Sequence, residues 1–126
     1  MDILGIDIGG TGIKAAIVDT DQGTLRTERL RVLTPHPSTP SAVSKAVARV
    51  VQQFDWKGPI GCTFPAIVSS GVIRSAANVD KGWIGLNGQD LLSKATGRPV
   101  VLLNDADAAG IAELRFGAGR GQPGLV

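Results

Sequence analysis

The stretch Asp7-Ile8-Gly9-Gly10-Thr11-Gly12-Ile13-Lys14 gathers a carboxylate, three glycines, a hydroxyl and an ammonium. Glycines let a backbone approach an anion closely and turn its amides toward it, Thr11 adds a hydroxyl donor, and Lys14 adds a compact positive charge. Such a stretch can cradle a phosphate, with Gly9, Gly10, Thr11, Gly12 and Lys14 as candidate ligands. It matches neither the G-x-x-x-x-G-K-S/T spacing nor the dinucleotide fingerprint, and it lies between two strands instead of opening a helix. Asp7, ending the first strand beside the phosphate site, is suited to hold magnesium directly or through water, because that ion prefers carboxylate, phosphate and water oxygens. A plain glycine-rich hairpin turn with an acid beside it is the competing reading.

Asn104-Asp105 forms a second chemical element, standing where an apolar strand ends and a helix is expected to begin. In open α/β sheets that position faces the ligand crevice. Asp105 there is a candidate general base, kept ionised by the helix amino terminus and able to accept the proton of an attacking hydroxyl. Phosphoryl transfer draws most of its acceleration from alignment and charge neutralisation, so a carboxylate suffices as the base. Asn104, both donor and acceptor, suits a hydroxyl-rich ligand. Against this stands the reading of Asn104 or Asp105 as a simple N-cap, with Asp107 a first-turn charge.

The elements that must carry these residues follow from periodicity. Residues 3–8 and 13–18 are strand-like on either side of the glycines, and a third strand over 24–33 follows the Asp21-Gln22-Gly23 turn. The proline-bearing stretch 34–40 stops it. Ala42, Val43, Ala46, Val47, Val50, Val51 and Phe54 recur at helical spacing, with Thr39 as N-cap and Pro40 at the first helical position. A buried strand over 60–64 runs into Pro65, and Val68-Ser69-Ser70-Gly71-Val72 reads as a small hairpin tip. A long loop over 75–88 carries Asn78, Asp80, Lys81 and Trp83, and loops of that length in compact domains are usually functional. A helix over 90–96 closes at Gly97, an apolar strand over 100–103 follows, and a last helix runs to about Phe116. This order predicts an α/β fold with a mixed five-stranded sheet, an antiparallel opening meander, later parallel strands and helices on both faces. Residues 1–117 are expected to form one domain and 118–126 to begin a second, so the chain should stop inside a larger protein and be inactive alone.

With 126 residues, 43% of them apolar, the chain can fill one ordinary core, and no block is long enough to span a bilayer. The amino terminus lacks a secretory pattern, and the sole cysteine, Cys62, excludes an internal disulfide; a cytoplasmic location is the expectation. Cys62, in an apolar run with no histidine nearby, reads as a buried small residue. The net charge of +2 argues against nucleic acid as a partner. His36, the only histidine, reads as solvated.

Taken in order and spacing, Asp7-Ile8-Gly9-Gly10-Thr11, Asn78-Val79-Asp80-Lys81-Gly82-Trp83 and Leu103-Asn104-Asp105-Ala106-Asp107-Ala108-Ala109 resemble the ROK family of sugar kinases and repressors. The resemblance covers essentially the whole chain. It implies an actin-like ATPase (ribonuclease H-like) domain, donor phosphates on the first motif, a sugar contact at Asn104 and the catalytic base at Asp105. It also implies glucose or a related hexose as acceptor, ATP or inorganic polyphosphate as donor with Mg2+, and a homodimer when full length. Asn78, Asp80 and Lys81 become candidate sugar ligands, and Trp83 a packing anchor for their loop. Thr63-Phe64-Pro65-Ala66 is similar to a sugar-lining segment of hexokinases. Lys14, Lys57, Arg115 and Arg120 are the cations available for a polyphosphate track. Two rivals remain: a sugar-sensing regulator on the same fold, which is expected to carry a helix-turn-helix ahead of the first strand, where this sequence starts its strand at residue 3, and an actin-like nucleotide hydrolase, which would not need the 78–83 loop.

Overall fold

The computed structural model describes residues 1–66, 68–76 and 79–104. Strands β1 (Asp2–Ile8) and β2 (Gly12–Asp19) form a hairpin in which Ile8 faces Ile13 and Asp7 faces Lys14. β3 (Thr24–Leu25) and β4 (Leu30–Leu33) both pair with β2. Helix α1 (Pro40–Gln53) leads to β5 (Ile60–Phe64), which is parallel to β1. β6 (Val68–Ser69) and β7 (Val72–Ile73) make a separate hairpin. A short 3-10 turn (Lys81–Trp83), α2 (Gly88–Thr96) and β8 (Val100–Asn104), parallel to β5, complete the described elements.

Among the described residues the main sheet has six strands where the sequence predicts five. The difference is a break in the third strand. Ile17 N–H finds the hydroxyl of Thr27 (3.0 Å) instead of a backbone carbonyl, and Arg26 turns away to bind Asp2 and Asp19. Burial raises the Asp19 pKa, but the Gln22 and Asp21 N–H groups and the Arg26 guanidinium outweigh it and hold the carboxyl below its ordinary range. Other expectations are met locally. Thr39 caps α1 by accepting from Ala42 N–H at 3.2 Å, with Pro40 at the first position. Ser70 and Gly71, at φ 51° and 82°, supply the paired left-handed conformations of a two-residue hairpin turn. α2 starts two residues before the expected 90 because Asn87 Oδ1 accepts from Asp90 N–H, and Gly97 closes it at φ 70°.

Alternation along the strands separates two faces. Leu4, Ile6 and Ile8, Ile13 and Ala15, Ile60, Cys62 and Phe64, and Val100 and Leu102 form one buried layer with Val43, Val47, Val50 and Val51 of α1 and Leu92 of α2. Both described helices therefore cover one face. Gly5, Asp7, Lys14, Gly61 and Thr63 lie on the other, where Val101 is 56% exposed. The last predicted helix, and with it the second covered face and the boundary at 117/118, lies outside the described residues. Among the described residues no helix is long and apolar enough to cross a membrane.

Cys62 sits in the centre of this core at 2% exposure, and burial pushes its thiol up from 9.0 to about 12. That leaves on the order of a thousandfold less thiolate at a given pH below both values. A disulfide reagent at pH 8 should react with Cys62 at least a hundredfold more slowly in the folded protein than in urea, a factor within that thousandfold loss of thiolate. Equal rates would show that the centre of the sheet opens readily.

Candidate active site

The hairpin between β1 and β2 is drawn tight by Gly9 N–H donating to the Gly12 carbonyl at 2.8 Å. A Cβ on Gly9 would stand 2.8 Å from that same oxygen, so no other residue closes the turn without moving it. Thr34, 2% exposed, clasps it from outside: its hydroxyl donates to the Gly9 carbonyl at 2.7 Å and its N–H to the Thr11 carbonyl at 3.1 Å. Sequence reasoning treated Thr34 only as the first residue of the proline-bearing stretch that stops the third strand. The signal was its position opposite the glycines, which appears only with the β2–β4 register.

Asp7 is exposed, directly opposite Lys14 on β2 and beside Thr63 on β5. The Thr63 hydroxyl donates to Asp7 Oδ1 at 2.7 Å and fixes one carboxylate oxygen. These three residues line an open cavity of about 550 Å³, together with Gly5, Gly61 and Arg29.

The 79–88 segment is held by its own contacts. Trp83 is fully buried, its ring 4.7 Å from that of Phe64 at 53°, and its Nε1 donates to the Ser38 carbonyl at 2.9 Å. It anchors the loop as expected and offers no exposed face for stacking. Asp80 donates its N–H to Ser38 Oγ (3.2 Å), while its Oδ1 accepts from Gly82 N–H at 2.7 Å. One Asp80 oxygen is thus committed to shaping the turn that presents Lys81, whose side chain is exposed. Asn78 lies outside the described residues. Ser38, 6% exposed, is a second residue the sequence reading missed, since a serine in a proline-bearing loop carries no periodic signal.

The parallel register gathers these parts. Asp7 lies beside Thr63 and Thr63 beside Leu103; one step on, Phe64 lies beside Asn104. The carboxyl ends of β1, β5 and β8 therefore share one edge of the sheet, with the glycine hairpin and Asn104 two strand spacings apart, roughly 10 Å. Asn104 is half-buried; Asp105 follows it outside the described residues. Of the four candidate track cations, Lys14 stands at this edge, Lys57 precedes β5 at the opposite one, and Arg115 and Arg120 lie outside the described residues. His36 is exposed, as expected. Among the described residues no cluster of three His, Cys, Asp or Glu side chains forms a metal site, so any ion at Asp7 would draw its other ligands elsewhere.

A mixed sheet with crossover helices and its candidate site residues at the carboxyl edge defines an α/β domain of the actin-like ATPase class, the fold of the solved structures it superimposes on. The chain belongs to the ROK family, whose pattern matches residues 3–126. It is 56% identical to polyphosphate glucokinase of Mycobacterium tuberculosis over 97% of its own length and 46% of that relative. It also resembles the inorganic polyphosphate/ATP-glucomannokinase of Arthrobacter sp. strain KM, with a TM-score of 0.90 and 52% identity, covering 96% of this chain and 51% of that one. A ROK glucokinase from Streptomyces griseus, solved with glucose and AMPPNP, superimposes with a TM-score of 0.81 at 32% identity, covering 96% and 38%. The chain spans about half the length of the curated relatives it matches.

Thr34→Val keeps the side-chain shape but removes the donor to the Gly9 carbonyl. It should lower unfolding free energy by about 1–3 kcal/mol, the range for stranding a buried polar group, whereas Thr34→Ser should recover most of it. Urea denaturation of the three proteins reads the difference; a Val variant as stable as the parent would mean that the clasp does not hold the hairpin.

Proposed function

We propose that the whole protein containing this chain transfers a terminal phosphoryl group from inorganic polyphosphate or ATP to the 6-hydroxyl of glucose or a close relative. The observation that carries this reading is the shared carboxyl edge of β1, β5 and β8, which brings the glycine hairpin and the Asn104 end of β8 to one side of a ROK-family domain. The choice of acceptor and donors is supported by the names of the relatives, polyphosphate glucokinase and polyphosphate/ATP-glucomannokinase, and by the glucokinase solved with glucose and AMPPNP.

In this reading Gly9, Gly10, Thr11, Gly12 and Lys14 bind the donor phosphates through amides, a hydroxyl and an ammonium. Asn78, Asp80, Lys81 and Asn104 orient the sugar. Asp105 accepts the 6-hydroxyl proton as that oxygen attacks phosphorus, and the leaving phosphate takes up the released charge. The exposed Asp7 carboxylate, with one oxygen steadied by Thr63 beside the hairpin, fits a magnesium ion whose remaining ligands are phosphate and water oxygens. That ion would neutralise charge on the donor. The protein would act in the cytoplasm as a homodimer.

A coupled glucose 6-phosphate assay of the whole protein, with polyphosphate and ATP offered separately, tests the reading. Turnover with at least one donor is expected. Thermal stabilisation by glucose without turnover would instead indicate a sugar sensor, and donor hydrolysis indifferent to glucose an actin-like hydrolase. Asp105→Ala should lower kcat by about 10²–10⁴ while glucose still stabilises the protein, the range for losing a positioned general base. An unchanged kcat would remove Asp105 from the chemistry.

A further inference from the structure

Gly12 is not a glycine for reasons of backbone conformation. It lies in β2, pairs in register with Leu33 of β4, and is absent from the residues with positive φ. What it lacks is a Cβ, and a Cβ there would stand 3.0 Å from both Nε and Nη2 of Arg31 and 3.1 Å from its Cζ. The guanidinium of Arg31 therefore lies flat across the bare backbone at the foot of the phosphate hairpin. The same register sets Arg31 opposite Lys14, and Lys14 opposite Asp7, in one row across β4, β2 and β1. All three side chains are exposed.

The charges in this row are not spent on one another. Among the described residues Arg26 is taken up by Asp2 and Asp19, whereas Arg31, Lys14 and Arg29 form no ion pair. Arg29 and Lys14 line the open cavity that also holds Asp7. Cations thus continue from the hairpin toward the β4 edge, with Asp7 the carboxylate in the row itself. A planar guanidinium suits phosphate oxygens through paired N–H donors, and an exposed, unpaired one keeps that capacity for a ligand.

We propose that Arg31, two strands from Asp7 in this row, binds donor phosphates beyond the third, and so favours an extended polyphosphate over ATP. The proposal rests on reading the glycine hairpin as the donor site. ATP ends its run of phosphates at the third and continues as an uncharged nucleoside, while polyphosphate repeats its charge along the row. Gly12 has a double use here, closing the hairpin through its carbonyl and leaving room for the guanidinium.

The test compares the whole parent protein with Arg31→Gln, Arg31→Lys and Gly12→Ala. In Arg31→Gln the KM for polyphosphate should rise relative to that for ATP by about tenfold, the order of one charge-assisted phosphate contact, and its dependence on salt should weaken. Arg31→Lys should recover part of the loss. Gly12→Ala, which keeps the charge but displaces it, should shift the same ratio in the same direction. An unchanged ratio in Arg31→Gln, or equal losses for both donors, overturns the proposal. Direct titration of polyphosphate onto each protein gives the answer apart from turnover: weaker binding to Arg31→Gln supports the role and equal binding refutes it. A parent that binds polyphosphate yet phosphorylates no glucose would refute the kinase reading alone.

Discussion

The pairing of β5 in parallel with β1 on one side and β8 on the other is the constraint on which the remainder rests. Parallel strands cannot be joined by a tight turn, so each return to the sheet needs a crossover, supplied here by α1 and α2. The same geometry makes every carboxyl end emerge at one edge. The Ile6–Cys62–Leu102 row holds the three strands in register from within the core, where each of these side chains is at most 2% exposed. A slip of one residue would bring Asp7 and Thr63 into the apolar layer and expose the core set, which fixes the alignment strongly.

A second coupling lies in the 34–40 connection. Thr34 grips the carbonyl of Gly9 in the glycine hairpin, and four residues later Ser38 accepts from both Asp80 N–H and Trp83 Nε1. One short segment therefore ties the glycine hairpin to the loop bearing Asp80 and Lys81. Its exit into α1 is set by the Thr39 cap and Pro40, so the helix that covers the core also fixes the strut. The proposed phosphoryl transfer would need such stiffness between hairpin and loop, because small displacements of reacting groups cost much of the rate.

Most of the scaffold was legible in the sequence, and for identifiable reasons. Glycines bounded by β-branched runs announced the β1–β2 hairpin, helical spacing and a Thr-Pro pair announced α1, and Ser70-Gly71 announced the small hairpin. The break between β3 and β4 was not legible, since it depends on a side chain, Thr27, replacing a backbone acceptor. Thr34, Ser38 and Arg31 escaped for a related reason: each acts across strands or between loops far apart in sequence, and single-chain periodicity carries no such information. Lys57 shows the converse, a cation whose type suited the anion site but which topology sends to the opposite edge of the sheet.

Whether the two binding elements meet can be measured as a distance. Manganese, bound in place of magnesium together with a non-hydrolysable donor in the whole protein, should strongly shorten the nuclear relaxation times of bound glucose, most of all at carbon 6, and Asp7→Asn should abolish the effect while glucose still binds. Glucose that binds the manganese-loaded protein with unaltered relaxation would mean that hairpin and sugar loop serve separate sites, contradicting the single crevice.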